Sequence, residues 1–120
     1  FHFMNDLDIP ILRKSYDLYK EFYKLRLVVP KQDRYVLWQK CENTLITILE
    51  GVLMASQQSK IEKLPTLEKV SVKLNFLKIC VRLMKDVKAI TPKAYIVIEA
   101  DLDEIGKMLG GWIKSTKEPR

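Results

Sequence analysis

Among its 120 residues the sequence holds one histidine, His2, two cysteines and only four glycines. A single imidazole near the chain end leaves nothing for a histidine-based triad or a histidine metal site. Ser15 and Ser71 therefore have no base to activate them as nucleophiles. The glycines form no phosphate-cradling loop, the cysteines form no CxxC pair, and no HExxH occurs. Cys41 and Cys80 lie inside apolar stretches and read as packed thiols of a reducing, cytosolic protein. No apolar run approaches the ~20 residues that cross a bilayer. No charged-then-apolar leader opens the chain, so neither membrane insertion nor secretion is expected. Asp101, Asp103 and Glu104 point in different directions on a helix and make no metal cluster or acid–base pair. The expectation is a protein without cofactor, metal or catalytic centre.

What the sequence does hold is an ordinary globular balance, with 48% apolar and 30% charged residues. That length and composition suit one domain with one core and no staples. Residues 4–116 are expected to form it. Phe1-His2-Phe3 read as a remnant ahead of a natural start at Met4, and residues 117–120 as a flexible tail. The five prolines cut the chain into long proline-free stretches. Proline is tolerated in the first turn of a helix but not inside it, so Pro10, Pro30, Pro65 and Pro92 read as boundaries. Asp8 and Thr91 are candidate N-caps. Helices are expected near 9–28, 34–58, 65–88 and 92–116, giving an all-α, antiparallel up-down-up-down four-helix bundle.

Placing residues at ~100° per step supports all four helices. In the first, Arg13, Lys14, Asp17, Lys20, Glu21 and Lys24 oppose an arc that includes Leu12, Leu18, Phe22 and the tyrosines Tyr16, Tyr19 and Tyr23. Those tyrosines read as core or interface residues with their hydroxyls at the rim. In the second, Leu37, Trp38, Cys41, Leu45, Ile48, Leu49 and Val52 share a side, and Glu42 intrudes on it. An interface or interhelical ion pair explains one misplaced acid better than a catalytic carboxylate does. In the fourth, Tyr95, Ile98, Leu102, Ile105, Leu109, Trp112 and Ile113 form the stripe.

The third helix is apolar over more than half its circumference, although a bundle helix needs an apolar stripe of only about 100° or somewhat more. The surplus points to a second copy of the chain. Lys69 and Lys73 interrupt it, either snorkelling or pairing across an interface with an acid such as Glu42. The remaining polar strip carries Lys78, Arg82 and Lys85 at i, i+4 and i+7. Three cations on adjacent turns suit phosphate oxygens, which are held by charge and reach.

Lys and Arg number 21 against 15 Asp and Glu, a formal charge of +6. The excess sits in the first and third helices, where Arg13, Lys14, Lys20 and Lys24 form a second basic strip. Such asymmetry favours a polyanionic partner, although the same lysines would also serve simply to solvate helix faces. In the fourth helix Gly106, Gly110 and Gly111 each cost ~1 kcal/mol relative to alanine. Gly106 and Gly110 flank the stripe that Trp112 continues, which reads as close helix contact within or between subunits.

The run Asp103-Glu104-Ile105-Gly106-Lys107-Met108-Leu109-Gly110-Gly111-Trp112-Ile113-Lys114-Ser115 resembles the ending of a family of small bacterial four-helix-bundle proteins. Leu49-Glu50-Gly51 and Lys88-Ala89-Ile90-Thr91-Pro92 agree with it. One branch of the family is encoded in intervening sequences of the large ribosomal RNA gene and has an undefined cytosolic role. The other comprises the accessory variability determinant (Avd) proteins of diversity-generating retroelements. The loop Val29-Pro30-Lys31-Gln32-Asp33-Arg34, and Leu77-Lys78 followed by Val81-Arg82, look closer to the Avd branch. In addition, Val52-Leu53-Met54 after Gly51 departs from the glycine-rich continuation of the ribosomal branch. The resemblance implies a homopentameric ring that binds RNA or DNA through basic surface and associates with a reverse transcriptase, supporting mutagenic cDNA synthesis. It also implies a basic pair at Lys78 and Arg82.

Overall fold

The computed structural model describes residues 8–119, so the reading of residues 1–3, and His2 with it, lies outside the described residues. Four helices account for most of them: α1 (Pro10–Lys24), α2 (Gln39–Ser56), α3 (Lys60–Asp86) and α4 (Pro92–Lys117). Each packs on its two neighbours round a square, α1 on α2 and α4, α3 on α2 and α4. Short connections make consecutive helices antiparallel. The result is the expected up-down-up-down bundle, a rod of 49 × 26 × 21 Å.

α1 begins with Pro10 in its first turn, where the missing N–H is harmless. The residue before it, Ile9, is the N-cap and gives no side-chain bond, so Asp8 is not the cap its sequence position suggested. Ile11, Leu12, Ser15, Leu18 and Phe22 face the core. Ser15 is tolerated there because its hydroxyl donates to the Ile11 carbonyl at 2.8 Å. After a 3-10 turn, Leu25–Leu27, the chain buries Val29 and turns at Pro30.

A single helical turn, Lys31–Asp33, then runs into a π turn, Arg34–Trp38, before regular α2 begins. The wider turn re-aims the strand of side chains ahead of α2. Trp38 enters the core and stacks on Phe22, with ring centroids 5.3 Å apart and planes 8° from parallel. Periodicity had fitted 34–58 as one regular helix; the π turn is invisible at that level because it shifts phase by only one residue.

The start of α3 corrects the expectation at Pro65. The helix begins five residues earlier, at Lys60, and Pro65 lies inside it. Ser59 and Glu62 form a capping box: the Ser59 hydroxyl accepts from the Glu62 N–H, and the Glu62 carboxylate accepts from the Ser59 N–H, both at 3.3 Å. Two satisfied donors at the new end offset the single backbone bond that a proline so close to the N-terminus removes. Thr91 caps α4 as expected, accepting from the Ala94 N–H at 3.1 Å.

α3 ends in a Schellman arrangement. The Ala89 N–H reaches the Met84 carbonyl at 2.7 Å and the Lys88 N–H reaches Lys85 at 2.9 Å. That geometry requires a left-handed residue, usually glycine, and here Lys88 takes it with φ of 64°. The tightest glycine in the bundle is Gly51 on α2, where an added Cβ would lie 2.5 Å from a methyl of Val70 on α3. At the far end Lys60 donates to the Glu118 carbonyl, tying the residues after α4 to the start of α3.

Candidate nucleic-acid interface

Lys78, Arg82 and Lys85 line one shoulder of α3, as their spacing demands, and that shoulder faces α4. Lys78 Nζ lies 3.2 Å from Asp103 of α4, and both side chains remain solvent-accessible. Lys85 sits 4.5 Å above the Tyr95 ring and 3.7 Å from Asp86. The Tyr95 hydroxyl donates to Glu99 at 2.6 Å. That bond holds its proton above the usual tyrosine range, with slight desolvation and the Glu99 charge adding to it and Arg82 opposing it. Arg82 is exposed and, among the described residues, has no carboxylate partner.

The seam is thus a ladder of alternating charge, with one cation, Arg82, standing free between two that are engaged. Solvent-exposed pairs of this kind are worth about 0–1 kcal/mol, so an incoming phosphate can displace a carboxylate at little cost.

The strip on α1 is not continuous with it, because α1 and α3 are diagonal in the square. Lys14 reaches Asp101 of α4 at 3.1 Å. Lys20 and Lys24 pair within their own helix with Asp17 and Glu21, at 3.6 and 3.3 Å. Arg13 is exposed and also engaged. Asp101 and Asp103 therefore point to opposite sides of α4, one bridging to each basic helix. Among the described residues no three or more histidine, cysteine, aspartate or glutamate side chains gather where they could hold a metal ion.

Gly106 and Gly110 do not serve close packing inside the chain. A Cβ on Gly106 would meet Lys78 and Leu74 at ordinary distances of 3.5 and 3.6 Å, and one on Gly110 would meet nothing within 4 Å. They instead open the floor of a groove of about 410 Å³ between α3 and α4, edged by Ser71, Asn75, Lys78, Asp103 and Lys107. Trp112 is half-buried against the core, with Lys63 5.5 Å over its ring. The surplus apolar surface of α3 is exposed as expected. Val72, Phe76, Ile79, Leu83 and Val87 form one heptad-spaced stripe on the shoulder towards α2. Lys69 and Lys73 beside it are exposed, and Glu42 pairs with neither: it accepts from the Tyr19 hydroxyl at 2.7 Å.

Residues 10–116, the whole bundle, match the model of the bAvd-like family. The chain belongs to the bAvd-like family. No curated protein matches its sequence. Of the residues singled out in the sequence, Gly106, Gly110 and Lys78 line the α3–α4 groove, whereas Arg82 and Trp112 lie outside its lining. No helix among the described residues is long and apolar enough to cross a membrane. Sequence reasoning missed Asp103 and Asp101 as partners of the basic strips. Their positive neighbours on other helices could not be paired before the order of the square was known.

Proposed function

We propose that this chain is a non-catalytic accessory protein of a diversity-generating retroelement. In the cytoplasm it binds RNA or DNA through its basic surface and associates with the element's reverse transcriptase to support mutagenic cDNA synthesis. Membership of the bAvd-like family carries this reading. Charge is consistent with it: the excess of six positive charges and the free Arg82 between two exchangeable lysine pairs suit a phosphate backbone held by position and charge. The apolar stripe from Val72 to Val87 favours a homo-oligomer, since monomers rarely leave so ordered a row of large apolar side chains in water. The pentameric ring suggested by the family resemblance is the assembly we adopt.

The decisive experiment titrates the purified protein with single-stranded RNA and DNA over a range of salt. Phosphate contacts make log K fall linearly with log salt, by about 0.7 per phosphate neutralised on a single strand. Arg82→Ala with Lys78→Ala should weaken binding alike for unrelated sequences and flatten that slope by about 1–2. Binding indifferent to salt overturns the nucleic-acid reading. Native mass spectrometry with Ile79→Asp and Leu83→Asp reads the assembly, which these changes should dissociate. Co-purification with the neighbouring reverse transcriptase tests the remaining partner.

A further inference from the structure

The end of the bundle where α1 runs into α2 and α3 into α4 is built unlike the rest of the surface. Leu27 and Val28 in the first connection are 78% and 71% exposed, next to the fully buried Val29. Between the two connections lies a cavity of about 780 Å³ whose walls are mainly apolar: Leu25, Val28 and Pro30 on one side, Ile90, Pro92 and Ala94 on the other. It continues past Leu25 and Ala94 into a second hollow of about 270 Å³ floored by Val97 and Ile98. Together they form an open trough along the α1–α4 edge of this end.

Its rim is cationic. Lys85 and Lys88 border the first cavity and Lys93 the second. The lining acids are already engaged, Asp86 with Lys85 and Glu21 with Lys24. Lys88 and Lys93 are exposed and have no carboxylate partner among the described residues. Lys88 also occupies the left-handed position that glycine would fill without strain. From that turn Lys88 contributes to the lining of the first cavity.

We infer that this trough docks an acidic amphipathic helix of a protein partner, its apolar face seated between Val28 and Ile90 and its carboxylates on Lys88 and Lys93. An apolar trough with a charged rim is the form that helix-in-groove recognition takes. The sign of the rim selects the occupant: a second copy of this same end would set lysine against lysine, and like charges across an interface are repelled. The inference gives a surface to the protein-partner half of the proposed function and rests on that half alone.

The test uses the full chain, isotope-labelled, and a synthetic helical peptide with leucines at i, i+4 and i+7 flanked by glutamates. Its control carries lysines in place of the glutamates. The acidic peptide should shift the amides of Val28, Ala89, Ile90 and Ala94, and the basic one should not. Val28→Asp and Lys93→Glu, both at exposed positions, should each lower its affinity by about tenfold or more, while Lys107→Glu on the α3–α4 groove leaves it unchanged. Shifts confined to the Val72–Val87 stripe, equal binding of both peptides, concentration-dependent dimers lost on Val28→Asp, or capture by anionic vesicles abolished by the same change each overturn the inference. The same variants, assayed against the neighbouring reverse transcriptase, separate the two readings. Transcriptase bound undiminished by Val28→Asp and Lys93→Glu defeats the trough and leaves the function standing. Peptide docked in the trough without any transcriptase association defeats the function and leaves the trough standing.

Discussion

The Tyr19 hydroxyl on α1 donates a 2.7 Å hydrogen bond to the Glu42 carboxylate on α2. An acid that periodicity places on the apolar side of its helix is thereby satisfied across the α1–α2 seam. The bond keeps the phenol protonated: its pKa is pushed up to about 12, first by the hydrogen bond, then by burial, then by the negative charge of Glu42. Because the folded value lies above the unfolded one near 10, the link stabilises the fold fully below pH 10. Its contribution is lost as pH rises from 10 to 12. Tyr19→Phe should cost about 1 kcal/mol at neutral pH and abolish that part of the alkaline loss. Urea melts of both proteins at pH 7, 10 and 12 measure it, and parallel curves at all three would refute the coupling.

Gly51 and Gly110 are predicted to respond oppositely to alanine. At Gly51 the new Cβ would collide with Val70 across the α2–α3 seam, only 2.5 Å from its methyl. Overpacking of this kind costs about 1–3 kcal/mol, and Val70→Ala in the same chain should recover part of the loss because the two sites share one contact. At Gly110 an added Cβ would meet nothing within 4 Å beyond its own helix backbone and chain neighbours, so the better helix former should raise the stability of the isolated subunit by up to about 1 kcal/mol. Thermal melts at low protein concentration decide the signs. A Gly110→Ala subunit that melts higher yet assembles poorly would assign the missing side chain to contact between subunits.

These contrasts show what was legible in the sequence. Four helices, their faces and the surplus on α3 follow from spacing alone, since burial at i, i+3, i+4 and i+7 leaves few alternatives. Pro65 misled because a strong helix breaker outweighed the quieter Ser59 and Glu62 signature six and three residues upstream. The π turn at Arg34–Trp38 left no mark in composition. The basic strip was visible on α3, but its neutralising partners were not: Asp103 sits on a different helix, and pairing it with Lys78 needs the register of α3 against α4. Gly51 stood out only as part of the Leu49-Glu50-Gly51 resemblance; its packing constraint was not legible because it comes from Val70, nineteen positions away in the chain.

Cys41 and Cys80 face each other across the α2–α3 seam, wholly or nearly buried. Burial raises the pKa of both thiols, decisively for Cys41 and, for Cys80, against the opposing influence of its partner thiol and of Lys40. Since the thiolate is the reactive species, both should resist a thiol reagent such as dithiobis-nitrobenzoate in native buffer and react together once urea unfolds the chain. The rate of labelling at low denaturant then reports opening of the α2–α3 seam. Rapid native modification of either cysteine would contradict this packing.

Lys88 offers the clearest separation of stability from function. Its φ of 64° costs an L-residue with a Cβ roughly 1–2 kcal/mol, and glycine would relieve most of this while adding some freedom to the unfolded chain. Lys88→Gly should therefore stabilise the fold by up to about 1 kcal/mol, seen as a higher midpoint in urea with an unchanged slope. Lys88→Ala keeps the strain and removes only the ammonium, so it should leave the midpoint nearly where it was. If the lysine is retained for its charge at the trough, both variants lose acidic-peptide affinity equally, although one is more stable and the other is not. A glycine variant no more stable than the parent would mean that the left-handed turn carries no strain to relieve.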